Sequence, residues 1–226
     1  MTVVEDAMRA DADLFETLRY RLMTNAYEHG QKVRAEVLKD EFGCSASTVR
    51  EVLFRLSTLG LVTFQEQRGF RVPARSRQLL HELTHMRVLL EAEGAALSMR
   101  HGGVAWEATL SAAHHQLSHL ERRLHTAENS APFVDLWFSA EKHFHTTLIA
   151  ACGSDVLKDG HDRVYSRFRQ QLMVEDLRFD FISKNIEHHQ AILDAALTGD
   201  EALTRQRIHE HLSRHLLDDA PVSKVS

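Results

Sequence analysis

Glu141 and His145 stand four residues apart, so on a helix they share one face. Trp137 and Leu148 lie on the same stripe, which is partly apolar. A carboxylate on such a stripe is costly unless it is paired or holds a metal. His189 falls on a second stripe with Ile182, Ile186, Leu193 and Ala196, and His211 shares a face with Thr204, Ile208 and His215. Three helices can therefore aim one carboxylate and three imidazoles into one cavity. That donor set suits a borderline divalent ion, zinc first, with nickel or iron as alternatives. Four protein ligands to an octahedral ion leave positions for water or a carboxylate. The competing reading is a set of core histidines satisfied by hydrogen bonds.

Arg87 lies on the stripe Leu83, Arg87, Leu90, Gly94, Leu97. A buried arginine needs an anion. Two anions remain open: an effector carboxylate, or Glu91 in an internal salt bridge. His143, His188 and His209 are offset around their helices and read as surface or supporting residues, and His114, His115 and His119 as surface decoration.

A second constellation sits near the N-terminus. Ser45, Ser47 and Thr48 open a helix, and Arg50 follows one turn on. Hydroxyls and backbone N–H groups at a helix start can bond phosphates or base edges, and an arginine can fork onto a guanine. Arg68 and Gly69 sit in a loop that can approach the DNA backbone or minor groove. The alternative is that Arg50 pairs with a nearby carboxylate and the hydroxyls only cap the helix.

The elements that must position these residues follow from periodicity. Residues 1–12 read as a loosely ordered arm. Asp13 can cap a helix carrying Leu14, Leu18, Leu22 and Ala26, which Gly30 ends. A short helix spans about 34–42. A third, capped by Ser45 or Ser47, carries Val49, Val52, Leu53, Leu56 and Leu59 up to Gly60. The period then changes to strand-like runs at 61–64 and 70–72 around a hairpin loop. Helix, helix, turn, helix and hairpin make a winged helix-turn-helix, closed by Pro73. From 79 to 219 the chain reads as helix throughout. Helices near 79–101, 104–127, 132–151, 154–176, 178–198 and 200–218 are separated by short breaks, one of them at 128–131. Short breaks imply an antiparallel bundle of about six helices. The expected architecture is thus mainly α, with a DNA-binding domain over 1–74 and a helical domain over 79–219.

Composition narrows the function. The net charge of −5 argues against a generic nucleic-acid binder, but it is uneven. Residues 14–78 hold 11 Lys and Arg against 7 Asp and Glu, whereas 79–226 hold 15 against 21. A basic head on an acidic body fits DNA contact through the head alone. Fifteen of the sixteen histidines lie in the acidic body, a bias that solvation alone explains poorly. No apolar run approaches the ~20 residues of a membrane span, and nothing reads as a signal peptide. Cys44 and Cys152, in different domains, point to unpaired thiols and a reducing cytoplasm. A metal-dependent bundle enzyme is the alternative of another class. Di-iron bundles, however, need several glutamates and two Glu-x-x-His motifs, and Glu141 stands alone here.

The run from Phe42 through Gly43-Cys44-Ser45-Ala46-Ser47-Thr48-Val49-Arg50-Glu51 to Leu56, followed by Gly60-Leu61-Val62 and the wing Arg68-Gly69-Phe70, resembles the winged-helix head of the GntR family of bacterial regulators. The second half resembles the helical FCD effector domain of that family's FadR-like branch. The FCD pattern is an Asp, a His four residues on, and one His on each of the last two helices. Glu141, His145, His189 and His211 match it in order, with Glu in place of Asp. The resemblance implies a homodimeric regulator, with repression the commoner mode. It also implies operator DNA as partner and a small organic acid as effector, bound near the metal with Arg87 as its clamp. A cavity that has lost its metal is the remaining alternative within the family.

Overall fold

The computed structural model describes residues 3–126, 131–172 and 179–217. The chain folds into two compact units. One comprises Met1–Leu79 with Ser166–Met173, and the other Leu80–Tyr165 with Val174–Ser226.

The first unit holds α1 (Val3–Met23), β1 (Lys32–Val33), α2 (Ala35–Phe42), α3 (Ala46–Thr58), β2 (Thr63–Gln65) and β3 (Gly69–Arg71). Helix α1 starts ten residues before Asp13, so the expected arm is helical from Val3 and Asp13 caps nothing. Residues 3–12 contain no glycine or proline, and six of the ten are Ala, Glu, Met or Arg, which sustain a helix. The helix also ends earlier than Gly30: Asn25 takes a left-handed conformation with φ 56°, which asparagine tolerates better than most residues. Gly43 closes α2 at φ 64°, and Ser45 then caps α3, its side chain accepting from the Thr48 N–H. The antiparallel sheet has the order β1-β3-β2, with Phe64 opposite Phe70 and Val33 opposite Phe70. Two-residue β1 is too short to show alternation, and the sequence pattern does not predict it. Leu18, Leu22, Leu38, Val49, Val52, Leu53, Leu56, Leu61 and Phe70 form the core of this unit. Phe54, Phe64 and Phe70 pack ring to ring at 4.8–5.0 Å and tie the wing to α3.

The remaining helices are α4 (Arg77–His101), α5 (Gly103–Thr126), α6 (Ala131–Leu148), α7 (Asp155–Gln171), α8 (Phe179–Leu197) and α9 (Glu201–Ser213). They follow the expected six helices. The break at 128–130, the stretch 173–178 and the expected domain end at 219 lie outside the described residues. Pro132 sits in the first turn of α6, where its missing N–H costs nothing. Asp200 caps α9 by accepting from the Leu203 N–H. The packed pairs α5–α6, α5–α8 and α8–α9 enclose a core of Trp106, Leu110, Leu117, Trp137, Phe144, Leu148, Ile192 and Ile208. Helix α7 divides between the two units at Tyr165. Its residues from Ser166 on are held within the first: Arg19 donates to Ser166 Oγ, Asn25 to the Leu172 carbonyl and Gln170 to the Leu61 carbonyl.

Candidate functional site

The bundle core is interrupted by charged groups. On α6, Trp137, Ala140, Phe144 and Leu148 are buried, and so are Glu141 and His145 between them. On α8 the buried row is Ile182, Asn185, His189, Ile192 and Ala196, and on α9 it is Thr204, Ile208, His211 and Leu212. His145, His189 and His211 therefore enter one interior from three helices. Each offers a ring nitrogen, and the three nitrogens lie within 4.8 Å of one another. The His189 and His211 rings are 4.5 Å apart between centroids, and His145 stacks on His211 at 5.3 Å.

Hydrogen bonds fix which nitrogen is left free on two of these rings. His145 Nδ1 lies 2.8 Å from Glu91 Oε2, and His189 Nδ1 lies 2.8 Å from Glu121 Oε1. An ionised carboxylate only accepts, so each Nδ1 carries the proton and each Nε2 keeps its lone pair. His145 Nε2, His189 Nε2 and His211 Nδ1 are buried and have no hydrogen-bond partner. One orphaned nitrogen on each of three neighbouring rings is a defect in a closed core, but three such neutral rings are a ligand set for a divalent ion. Burial holds the His145 imidazole below the ordinary histidine value despite the nearby Glu91 charge. Burial, reinforced by His189 and Arg214, holds His211 well below it. Both rings are therefore neutral near pH 7, the form that binds metal.

Glu141 borders the triad. Its Oε1 lies 3.4 Å from His145 Nε2 and 3.4 Å from an Arg87 nitrogen, and its Oε2 accepts from the Tyr165 hydroxyl. Arg87 is buried, donates to Glu91, and stacks over the Tyr165 ring at 4.8 Å. Of the two anions left open for Arg87, the internal one, Glu91, is present. Glu91 also accepts from His161 Nε2 at 2.9 Å. Burial opposes the ionisation of Glu91, but the Arg87 charge and the bonds from His145 and His161 hold it well below the usual carboxylate range. Burial likewise opposes the Arg87 charge, and Glu91 and Glu141 overcome it.

The sequence pattern alone does not single out Glu121, His161 or Tyr165. A signal existed for each. Glu121 continues the row Leu110, His114, Leu117 along α5, and His161 and Tyr165 continue toward Phe168 and Leu172 along α7. His114, expected at the surface, is buried with its ring against Phe144. His115 and His119 are exposed, as are His143 and His209.

In the first unit, Ser45, Ser47 and Arg50 are exposed around the start of α3, and Thr48 is half-buried. Ser45 Oγ lies 2.7 Å from Ser47 Oγ and 2.8 Å from Thr48 Oγ1, so the three hydroxyls form one cluster. Arg50 donates to Glu36 Oε1 at 2.8 Å, and Lys39 Nζ lies 3.1 Å from the other Glu36 oxygen. Arg68 is exposed at the wing tip, and Gly69 takes φ 75°, a value that disfavours any side chain.

Residues 11–72 match the family described as bacterial regulatory proteins, gntR family, and residues 82–214 match the FCD domain. The chain is 29% identical to the HTH-type transcriptional repressor GlaR of Escherichia coli strain K12 over 214 residues, 93% of this chain and 94% of that protein. It is 30% identical to the uncharacterized HTH-type transcriptional regulator BphR of Paraburkholderia xenovorans strain LB400, covering 88% of this chain and 80% of that one. Among solved structures, E. coli McbR/YncC superposes with a TM-score of 0.77 at 18% identity, covering 91% of this chain and 94% of that one. A GntR-type regulator from Rhodococcus sp. RHA1 superposes at 0.71 and 19% identity, covering 90% and 94%. These structures share the fold.

Proposed function

The chain belongs to the gntR family of bacterial regulatory proteins and carries an FCD domain, and from that premise we propose that it is a repressor whose operator binding answers a small organic acid at a metal in the helical unit. It is a transcriptional regulator and not an enzyme. The observation that carries the proposal is the convergence of three buried histidines, each with a ring nitrogen within 4.8 Å of the others and each with one nitrogen that has no hydrogen-bond partner. Their donor chemistry fits a borderline divalent ion, zinc before nickel or iron.

His145, His189 and His211 would hold the ion, with Glu141 as the adjacent carboxylate. A bound ion supplies a Lewis-acidic centre with positions open to an effector carboxylate. The protein's own groups shape the rest. Glu91 fixes the His145 ring and neutralises Arg87. Arg87 engages an effector carboxylate by exchanging Glu141, its longer contact at 3.4 Å. The Tyr165 hydroxyl, now donating to Glu141, follows that exchange. An effector changes DNA binding only through different affinities for two states of the protein.

At the operator, Ser45, Ser47 and Thr48 would bond phosphates or base edges, and Arg50 would leave Glu36 for a guanine. Arg68 and Gly69 would approach the backbone from the wing. One head offers limited contact area, so the protein would act as a homodimer on two half-sites.

The test combines metal analysis with a gel shift on the protein's own promoter. The expected results are about one divalent ion per chain, metal lost in a folded His189→Ala variant, and a shift relieved by one organic acid from a thermal-shift screen. Retention of metal by His189→Ala would overturn the site. A shift insensitive to every acid that raises the melting temperature would overturn the coupling.

A further inference from the structure

Two carboxylates brace the histidine triad, and their charge environments differ. Glu91 faces Arg87, His145 and His161, so a fixed cation balances it. Glu121 is fully buried on α5. Its Oε1 takes the His189 Nδ1–H at 2.8 Å and the Trp137 indole N–H at 3.5 Å, and its Oε2 has no hydrogen-bond partner. Its one ion-pair partner among the described residues is His189, and no lysine or arginine among them pairs with it. A carboxylate buried among neutral donors is strongly disfavoured unless a positive charge lies close by. His189, whose ring Glu121 holds, is one of the three histidines of the triad.

We propose that Glu121 is a positioning residue for the metal: it locks His189 in the tautomer that presents Nε2 to the triad. The inference rests on the metal reading above. A carboxylate behind a ligand histidine orients the ring and raises its basicity, and losing one typically lowers metal affinity ~10–100-fold. Glu121 thus does for His189 what Glu91 does for His145, without an arginine to neutralise it.

The experiment uses the full-length chain, stripped with a chelator. Wild type, Glu121→Gln and Glu121→Leu are titrated with Zn2+ against a chromophoric chelator, and melting midpoints are read with and without Zn2+. Glu121→Leu removes acceptor and charge, and its Zn2+ affinity falls ~10–100-fold. Glu121→Gln keeps an acceptor for His189, though a weaker one than a carboxylate, so its affinity falls between the two. Without Zn2+, Glu121→Gln melts close to wild type, because its amide oxygen still accepts from His189, yet its Zn2+-dependent rise is smaller. A purely structural role gives the opposite signature: a lower metal-free midpoint with unchanged Zn2+ affinity. That result, or equal affinity in wild type and Glu121→Gln, overturns the proposal. If Glu121→Leu does not fold, the isosteric Gln variant carries the test. Failure of wild type to take up Zn2+, or uptake by His189→Ala equal to wild type, removes the metal reading itself. Uptake by wild type with an unaffected Glu121→Gln removes only the role of Glu121.

Discussion

Arg87 and the three triad histidines place charge and unpaired donors where a helical bundle normally has leucine. Arg87 balances two buried carboxylates, Glu91 and Glu141. Arg87→Met keeps the volume and leaves both acids without their cation. Breaking a buried pair this way costs about 3–5 kcal/mol. Urea titration should show that loss, and a loss below ~1 kcal/mol, in the range of surface pairs, would mean Arg87 does not carry the balance. The histidines set a pH dependence. His145 and His211 have folded pKa values below the 6.5 of an unperturbed imidazole. As pH falls through 6.5, the unfolded chain takes up protons that the folded chain refuses. Stability must therefore drop on acidification, by up to ~1.4 kcal/mol per pH unit for each histidine. Chelator-treated protein should show urea midpoints that decline from pH 7.5 to 5.5. A flat profile would contradict neutral buried imidazoles. At this scale the sequence showed much of the site. His145, His189 and His211 stood on apolar stripes in family order. Glu121 stood on a stripe too, but one carboxylate among apolar residues has no partner in the sequence, and only the fold brings His189 to it. Arg87 shows the same limit: its stripe announced burial, and the choice between anions needed the position of Glu91.

Elements carry their own strains. Helix α4 passes Ile149 and Leu157 so closely at Gly94 that an added Cβ would lie 2.7 Å from Ile149 Cγ2 and 3.0 Å from Leu157 Cδ2. Gly94→Ala gains up to ~1 kcal/mol of helix propensity but forces an overpacked contact costing about 1–3 kcal/mol. The net expectation is a lower thermal midpoint, and a higher one would show that Ile149 shifts without cost. In the first unit, Ser45→Ala removes the cap of α3 and should destabilise by about 1 kcal/mol, measurable by urea titration monitored through helix content. Long, periodic helices such as α4 and α5 were legible because many residues repeat the same signal. Two-residue β1 was not, since a pair cannot show alternation and its strand character comes from pairing with β3. The start of α1 is obscured for a related reason. Asp13 is a good cap, yet the residues before it are better helix formers than arm residues, and propensity continues the helix past the cap signal.

At the scale of the whole molecule, charge decides which part meets DNA. A chain with a net charge of −5 is repelled by phosphate, so binding must be local to the basic stretch 14–78. This separates two kinds of contact that a gel shift at varied salt can tell apart. Arg50 is exposed and held toward Glu36 at 2.8 Å, so DNA must win it from an existing partner. If it reads a guanine, Arg50→Ala should weaken binding to the protein's own promoter by about 1–3 kcal/mol, roughly 5- to 150-fold, and relax preference at one base position. Arg68 lies on the wing and is expected to meet phosphate. Arg68→Ala should weaken all sequences alike and reduce the slope of log affinity against log salt by about 1. The acidic body adds a control, because exposed Arg205 there pairs with Glu93, and Arg205→Ala should leave the slope unchanged. If Arg205→Ala alters the salt slope as strongly as Arg68→Ala, phosphate is being met by the helical unit, and confinement of DNA contact to the head is wrong. If Arg50→Ala and Arg68→Ala behave alike on every sequence, Arg50 is a phosphate contact and the base reading falls to the hydroxyls of Ser45, Ser47 and Thr48.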